Sequence, residues 1–276
     1  VEDDRNGLSP RERWKLVAPW YGKTRLSSYW EALRLAIRGL YGIDDFSDST
    51  VDSLVEKMRQ LLRPGATRAV FDRAGIDYAM NNPFPLGVEM IYRHCAETDC
   101  FITDMHDAFA EFPLAHFPKD TSIEIVGIDD YLRTIDWYFE RYGHIASAYK
   151  MGHAYWRSLD YDDPKREDVA PLFRRLAAGE PLARQEKQPI EDFIVHYLCE
   201  KCAEYGLRVK FHCGLQAYNG IDIRWARAGL LLPLFLKHPE TNFDIYHIAY
   251  PYWEEAVAIV KMFPNVTLDF CWAWNV

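Results

Sequence analysis

The chain has 276 residues, with 41 acidic against 32 basic side chains and a formal net charge of −9; this balance argues against a nucleic-acid or anionic-membrane surface as the main partner. No apolar run approaches the roughly 20 residues needed to span a bilayer, and the opening Val1-Glu2-Asp3-Asp4-Arg5 lacks a signal-peptide pattern, so the expectation is a cytoplasmic protein acting on small molecules. Six cysteines are too few for a disulfide framework at this length, and reduced thiols are expected.

Residues 8–64 read as helical. Ser28 with Glu31 three residues on forms a capping box opening a run with Trp30, Leu33, Ala36, Ile37 and Leu40 on one face, and Gly42 ends it. A second helix covers Val51 to Leu62 and stops at Pro64-Gly65. The aromatics Trp14, Trp20, Tyr21, Tyr29 and Trp30 fit a packed helical insertion or a lid over a site.

From Ala66 the pattern alternates between helix and strand. Ala66 to Ala74 is a helix closed by Gly75, Asp77 to Asn81 a strand, Val88 to Ala96 a helix and Phe101 to Thr103 a short strand, with Asp104-Met105-His106 in a loop. Ile128 to Tyr142 is a helix ended by Gly143, and His144 to Lys150 a strand. The charged segment from Asp160 to Gln188 reads as a long excursion. Pro189 to Tyr205 follows as a helix with proline in its first turn. Leu207 to Gly214 is then a buried strand that delivers His212. Trp225 to Leu236 and Trp253 to Met262 are helices flanking a second histidine-bearing strand, Phe243 to His247, and Asn265 to Phe270 is the final strand.

Six strands, each nearly wholly apolar and separated by helices, imply a parallel sheet covered by helices. An open doubly wound sheet normally carries a glycine-rich turn after its first strand, and no such motif occurs. The favoured fold is therefore a (β/α)8 TIM barrel lacking its first and last strands, with 1–276 as a single incomplete barrel domain and 8–64 as its helical insertion. Segments beyond Val1 and Val276 are expected, and so is poor solubility or inactivity of the isolated chain, because an open arc leaves unpaired edges. His212 and His247 lie one strand–helix–strand period apart, so neighbouring parallel strands bring both to the ligand-binding end of the sheet.

Phe211-His212-Cys213-Gly214-Leu215-Gln216, Asp244-Ile245-Tyr246-His247-Ile248-Ala249-Tyr250-Pro251 and Phe263-Pro264-Asn265-Val266-Thr267-Leu268-Asp269 together resemble the amidohydrolase superfamily. The likeness is greatest to the branch of metal-dependent hydrolases, decarboxylases and uronate isomerase-like enzymes, and it is firmest over residues 144–276. The resemblance implies that His212 is a metal ligand and that His247 binds a metal or acts catalytically on the substrate. The family's His-x-His pair and late aspartate are not in this sequence. Neutral imidazoles at strand ends are rigid ligands for a divalent ion, zinc first and manganese second. Such an ion lowers the pKa of bound water from about 16 to about 7.

Lys150, Arg157, Gln216 and Tyr250 are the expected substrate contacts, with Lys150 and Arg157 suited to an anionic small molecule; Arg224 lies in the same loop as Gln216. The expected activity is metal-dependent hydrolysis of an amide, ester or lactone. A decarboxylase or uronate-type isomerase on a carboxylated substrate is the alternative, and a non-catalytic binding barrel the third reading. Neither nucleic acid nor membrane is an expected partner, and a homo-oligomer is left open. Cys199 and Cys202 read as packed thiols inside a helix, Asp104-x-His106 as a loop turn, and His196 and His238 as lacking metal-binding spacing.

Overall fold

The computed structural model describes residues 7–61, 65–81, 101–106, 121–217 and 220–274. Its contacts divide into two units, Val1–Tyr78 and Ala79–Trp274.

The first unit is helical: α1 (Pro10–Thr24), α2 (Ser28–Tyr41), α3 (Val51–Leu61) and α4 (Ala66–Ala74). The capping box belongs to α1, where Glu12 accepts from the Ser9 amide at 2.8 Å and the Ser9 hydroxyl accepts from the Glu12 amide at 3.3 Å. The box expected at Ser28 does not form, because Ser28 is already helical and the extended Ser27 is the cap. Gly42 and Gly75 close their helices with left-handed backbone, as expected. Trp14, Tyr21, Trp30 and Phe46 pack edge to face and stacked, with Tyr21 and Trp30 centroids 4.8 Å apart. Trp20 and Tyr29 stay exposed, so only part of the aromatic set is core.

The second unit holds one six-stranded parallel sheet in the order β1 (Ala79–Asn81), β2 (Phe101–His106), β3 (Ala146–Met151), β4 (Arg208–Phe211), β5 (Asn242–Ile245) and β6 (Val266–Leu268). Spatial order follows chain order without the reversal that defines a doubly wound sheet, so this is an arc of a (β/α)8 barrel. Between the strands run α5 (Ile128–Tyr142), α6 (Arg166–Ala177), α7 (Arg184–Glu204), α8 (Leu232–Lys237) and α9 (Trp253–Met262). The helix expected over Val88 to Ala96 lies outside the described residues. Among the described residues no helix is long and apolar enough to cross a membrane.

The strands are not wholly apolar as expected; they alternate. Tyr149, Met151, Val209, Phe211, Phe243 and Ile245 face the helices and share one core with Tyr131, Phe139, Ile190, Ile194, Leu198 and Ile259. Each such fully buried side chain contributes about 1.5–3 kcal/mol. The intervening positions carry Lys150, Lys210, Asp244 and Thr267, because side chains alternate with period two. These polar groups are satisfied across strands: Lys210 donates to Asp104 at 2.8 Å, and Thr267 donates to Asp244 at 3.1 Å. Asp104 therefore sits in β2 rather than in a loop.

Two other boundaries move. The excursion before α7 contains α6 and the first turn of α7, which starts at Arg184, so Pro189 lies inside the helix and not at its start. Trp225 to Leu236 is not one helix but two 3-10 turns, Ile223–Ala226 and Ala228–Leu231, followed by α8. Pro233 stands in the first turn of α8, where a residue without an amide hydrogen gives up no helical bond.

Candidate metal centre at the strand ends

His212 follows the last residue of β4, and His247 lies in the 3-10 turn Tyr246–Ala249 directly after β5. In-register pairing of Phe211 with Ile245 brings the two histidines to the same end of the sheet. Gly214 makes this end compact. Its φ is +71°, and a Cβ there would stand 2.2 Å from the Tyr250 carbonyl oxygen; only glycine permits that approach. The Leu215 amide then donates to the same carbonyl at 2.8 Å. His247, Ile248 and Ala249 all have positive φ, a conformation that costs roughly 1–2 kcal/mol per residue outside glycine. Bonds from the Ile248 amide to the Asp269 carbonyl, 2.8 Å, and from the Tyr250 amide to the His247 carbonyl, 2.9 Å, hold the turn.

The hydrogen bonds fix both tautomers. His212 Nε2 lies 2.9 Å from the Leu215 carbonyl oxygen, and His247 Nδ1 lies 2.9 Å from the Cys271 carbonyl oxygen. A carbonyl only accepts, so each of these nitrogens carries the proton of the neutral ring. The other two nitrogens, His212 Nδ1 and His247 Nε2, face each other at 3.3 Å with lone pairs opposed. Burial, with Lys150 next and His247 after it, pushes the His212 pKa down to about 2. Burial also lowers His247, and Lys150 adds to the effect. Neither ring protonates to relieve the opposition near neutral pH. A tetrahedral ion with bonds of about 2.0–2.1 Å to two imidazoles spans about 3.3 Å between the nitrogens, so the pair fits a divalent ion.

Aromatic walls flank this edge. The Tyr155 ring centroid is 4.5 Å from that of His212, and Trp272 is 4.9 Å from His247. Lys150 stands in the next strand; its ammonium lies 4.0 Å from the Tyr246 ring centre and donates to the Met151 carbonyl at 3.3 Å. Burial, followed by the Asp104 carboxylate, pushes the Tyr246 phenol well above its usual range.

Arg157 does not take the substrate-clamping place expected of it. The guanidinium is buried, with Nη1 2.6 Å from Asp192 and 3.0 Å from Glu191, Nη2 donating to the Asp160 carbonyl at 2.6 Å and Nε to the Ser158 carbonyl at 3.0 Å. Its donors are spent on the fold. Burial lifts Asp192 to about 6 even beside this cation. Gln216 ties its loop to the Ala154 carbonyl through Nε2 at 3.0 Å, and Tyr250 enters through its backbone. Arg224 is exposed and paired with Asp222. His153 is buried, bonded to the Tyr161 hydroxyl at 2.7 Å. Cys199 and Cys202 are buried free thiols, raised by burial.

Sequence reasoning missed Asp104, Lys210, Tyr155, Tyr246 and Trp272. The signal for the first pair was present: extending the Phe101 strand to His106 places Asp104 and Met105 in alternation.

Residues 99–275 match the family model described as amidohydrolase. The chain belongs to that family. The chain is similar in fold to the glucuronate isomerase from Caulobacter crescentus (TM-score 0.74, 17% identity), covering 95% of this chain and 60% of that one. It is also similar to the uronate isomerase from Thermotoga maritima (TM-score 0.74, 14% identity, 95% and 64%). A protein assigned as a metal-dependent hydrolase from Lactobacillus casei matches with TM-score 0.66 at 13% identity, covering 90% of this chain and 64% of that one. Among curated proteins, the chain is 28% identical to Protein fluG of Emericella nidulans over 132 residues, 44% of this chain and 15% of that protein. The chain thus spans less than two thirds of each relative.

Proposed function

We propose that this chain carries two metal ligands of a hydrolase for amides, esters or lactones, with His212 after β4 and His247 after β5 holding one divalent ion, zinc before manganese. The opposed lone pairs at 3.3 Å carry this reading, because two neutral imidazoles fixed by carbonyls in that arrangement leave the space between them to a cation. A bound divalent ion supplies Lewis acidity and an activated water. The residues of the chain supply the rest. The Leu215 and Cys271 carbonyls keep the imidazoles oriented, as outer partners do in metal sites. Tyr155 and Trp272 shield the edge from bulk water, and Lys150 supplies a fixed positive charge to a substrate oxygen. Gln216 and Tyr250 shape the adjoining loops. In the same proposal residues 8–64 are a helical insertion of the barrel domain, and the protein is cytoplasmic.

A second reading is favoured by Lys150: a decarboxylase or uronate-type isomerase acting on a carboxylated substrate, whose carboxylate the ammonium would balance. The likeness in fold to uronate isomerases agrees with it. Elemental analysis of the purified protein beside a His212→Ala variant tests both readings; zinc or manganese near one per chain in the wild type, lost in the variant, is the expected result. Equal metal in both proteins would sink the His212 assignment. Turnover of lactones and esters against turnover of sugar acids then separates the two reactions.

A further inference from the structure

We infer that the loop after β6 is a tautomer lock for His247, with Asp269 and Trp272 as its positioning residues. Its purpose rests on the metal-site reading proposed above; the lock itself can be observed without a metal. The two histidines are oriented by different means. His212 gives its ring proton to a carbonyl three residues along its own loop, whereas His247 gives its proton to the carbonyl of Cys271, 24 residues away and beyond the next strand. The tautomer of His247 therefore depends on a tertiary contact. The loop holds that carbonyl from both sides. Asp269 is tied around His247 by its backbone, its amide donating to the Ile245 carbonyl at 2.9 Å and its carbonyl accepting from the Ile248 amide at 2.8 Å. From this fixed point Asp269 Oδ1 accepts from the Cys271 amide at 2.8 Å. On the far side Trp272 has φ +62°, a conformation disfavoured outside glycine, and its ring packs on His247 with centroids 4.9 Å apart. The Ala273 amide donates to the same Cys271 carbonyl at 2.7 Å.

The other tautomer shows what the lock prevents. A neutral imidazole carries one proton, on either nitrogen. While the loop is in place, a proton on Nε2 of His247 would set the Nδ1 lone pair against the Cys271 carbonyl oxygen at 2.9 Å. Once that carbonyl swings away, the penalty is gone. The ring proton then passes by exchange with solvent to Nε2, which faces His212 Nδ1 at 3.3 Å. His212 keeps its own proton on Nε2 through the Leu215 carbonyl, so its Nδ1 accepts. The pair closes as an N–H···N hydrogen bond, the kind of contact that His196 and His238 make at 2.7 Å. No lone pair is left for a cation. Two opposed lone pairs are unfavourable in an empty site, so the lock works against the preference of the histidine pair itself.

Nitrogen NMR of chelator-treated protein with isotope-labelled histidine tests the lock without metal or turnover, because the protonated and bare nitrogens of a neutral imidazole resonate far apart. With His247 assigned by the signals lost in His247→Gln, its proton is expected on Nδ1 in the wild type and on Nε2 in Asp269→Ala and Trp272→Ala. Asp269→Asn keeps an oxygen acceptor for the Cys271 amide and Trp272→Phe keeps a ring on His247, so both are expected to retain the wild-type pattern. Unchanged signals of His196 and His238 confirm that each variant is folded. Zinc affinity, measured by competition with a chromophoric chelator, should fall about 10- to 100-fold in the two alanine variants and hold in the conservative pair. A proton on Nε2 of His247 in the wild type, or a wild-type pattern in both alanine variants, would overturn the lock. Undiminished zinc affinity in variants whose tautomer has shifted would overturn its role in the metal site. The expected tautomer shift in a protein that never binds zinc would sustain the lock and sink the hydrolase reading instead.

Discussion

Two buried histidine pairs, one involving α7 and the residue after α8 and the other at the strand ends, differ in where one ring proton sits. His196 of α7 and His238 after α8 approach to 2.7 Å between Nδ1 and Nε2. His196 Nε2 donates to the Asp162 carbonyl at 3.0 Å, so its Nδ1 accepts from the Nε2–H of His238. That pair is complete as an ordinary hydrogen bond. The His212 and His247 pair at the strand ends has its protons pointing outward to two carbonyls and its bare nitrogens facing each other at 3.3 Å. Similar burial thus yields a structural element in one place and, in the function proposed above, a cation site in the other, because backbone carbonyls select the tautomers.

The sharpest way to break this comparison is a pair of alanine variants. His212→Ala is expected to abolish stoichiometric metal and turnover, whereas His238→Ala leaves metal content unchanged; metal loss in His238→Ala would dissolve the distinction. The same contrast between spent and available groups applies to the cations. Arg157→Ala strands Asp192 in the interior and leaves Glu191 to Arg184 alone; it is expected to cost about 3–5 kcal/mol in urea unfolding, and Asp104→Ala, which strands Lys210, falls in that range too. A raised KM with unchanged stability for Arg157→Ala would instead restore its substrate role. His238→Ala leaves His196 Nδ1 without its donor, an effect of about 1–3 kcal/mol, read from the same unfolding curves.

The smallest effect is on pH dependence. Burial, then His196 and Lys237, lowers His238 from its ordinary 6.5 to about 4, and burial lowers His196 as well. A histidine with a depressed folded-state pKa lets the unfolded chain bind the extra proton, so stability falls as pH drops from about 6.5 toward about 4. His238→Gln should flatten that slope, as measured by urea midpoints at pH 7 and pH 5. An unchanged slope would mean that the pair does not titrate with unfolding.

Much of the frame was legible locally. The helix Trp253–Met262 has its expected bounds, and both histidines stand where an apolar strand runs into a loop. Asp104 was misread because a strand with a charged inner position resembles a strand that has ended. The start of α7 was expected at Pro189 and lies at Arg184, because its capping contact, Glu186 accepting from the Ala183 amide at 2.8 Å, falls in a charged stretch with no apolar stripe.

The sequence by itself determined the parallel α/β sheet, the end of it at which His212 and His247 emerge, and the glycine at 214 that lets the loops close. Those features depend on neighbours along the chain, through side-chain period and backbone permissiveness. Only the tertiary structure decided which nitrogen of each histidine is bare, that Arg157 is consumed by Glu191 and Asp192, and that Asp104 meets Lys210 across a separation of 106 residues. Hydrogen-bond partners and buried charge pairs are set by distance in space, and local sequence carries no record of them.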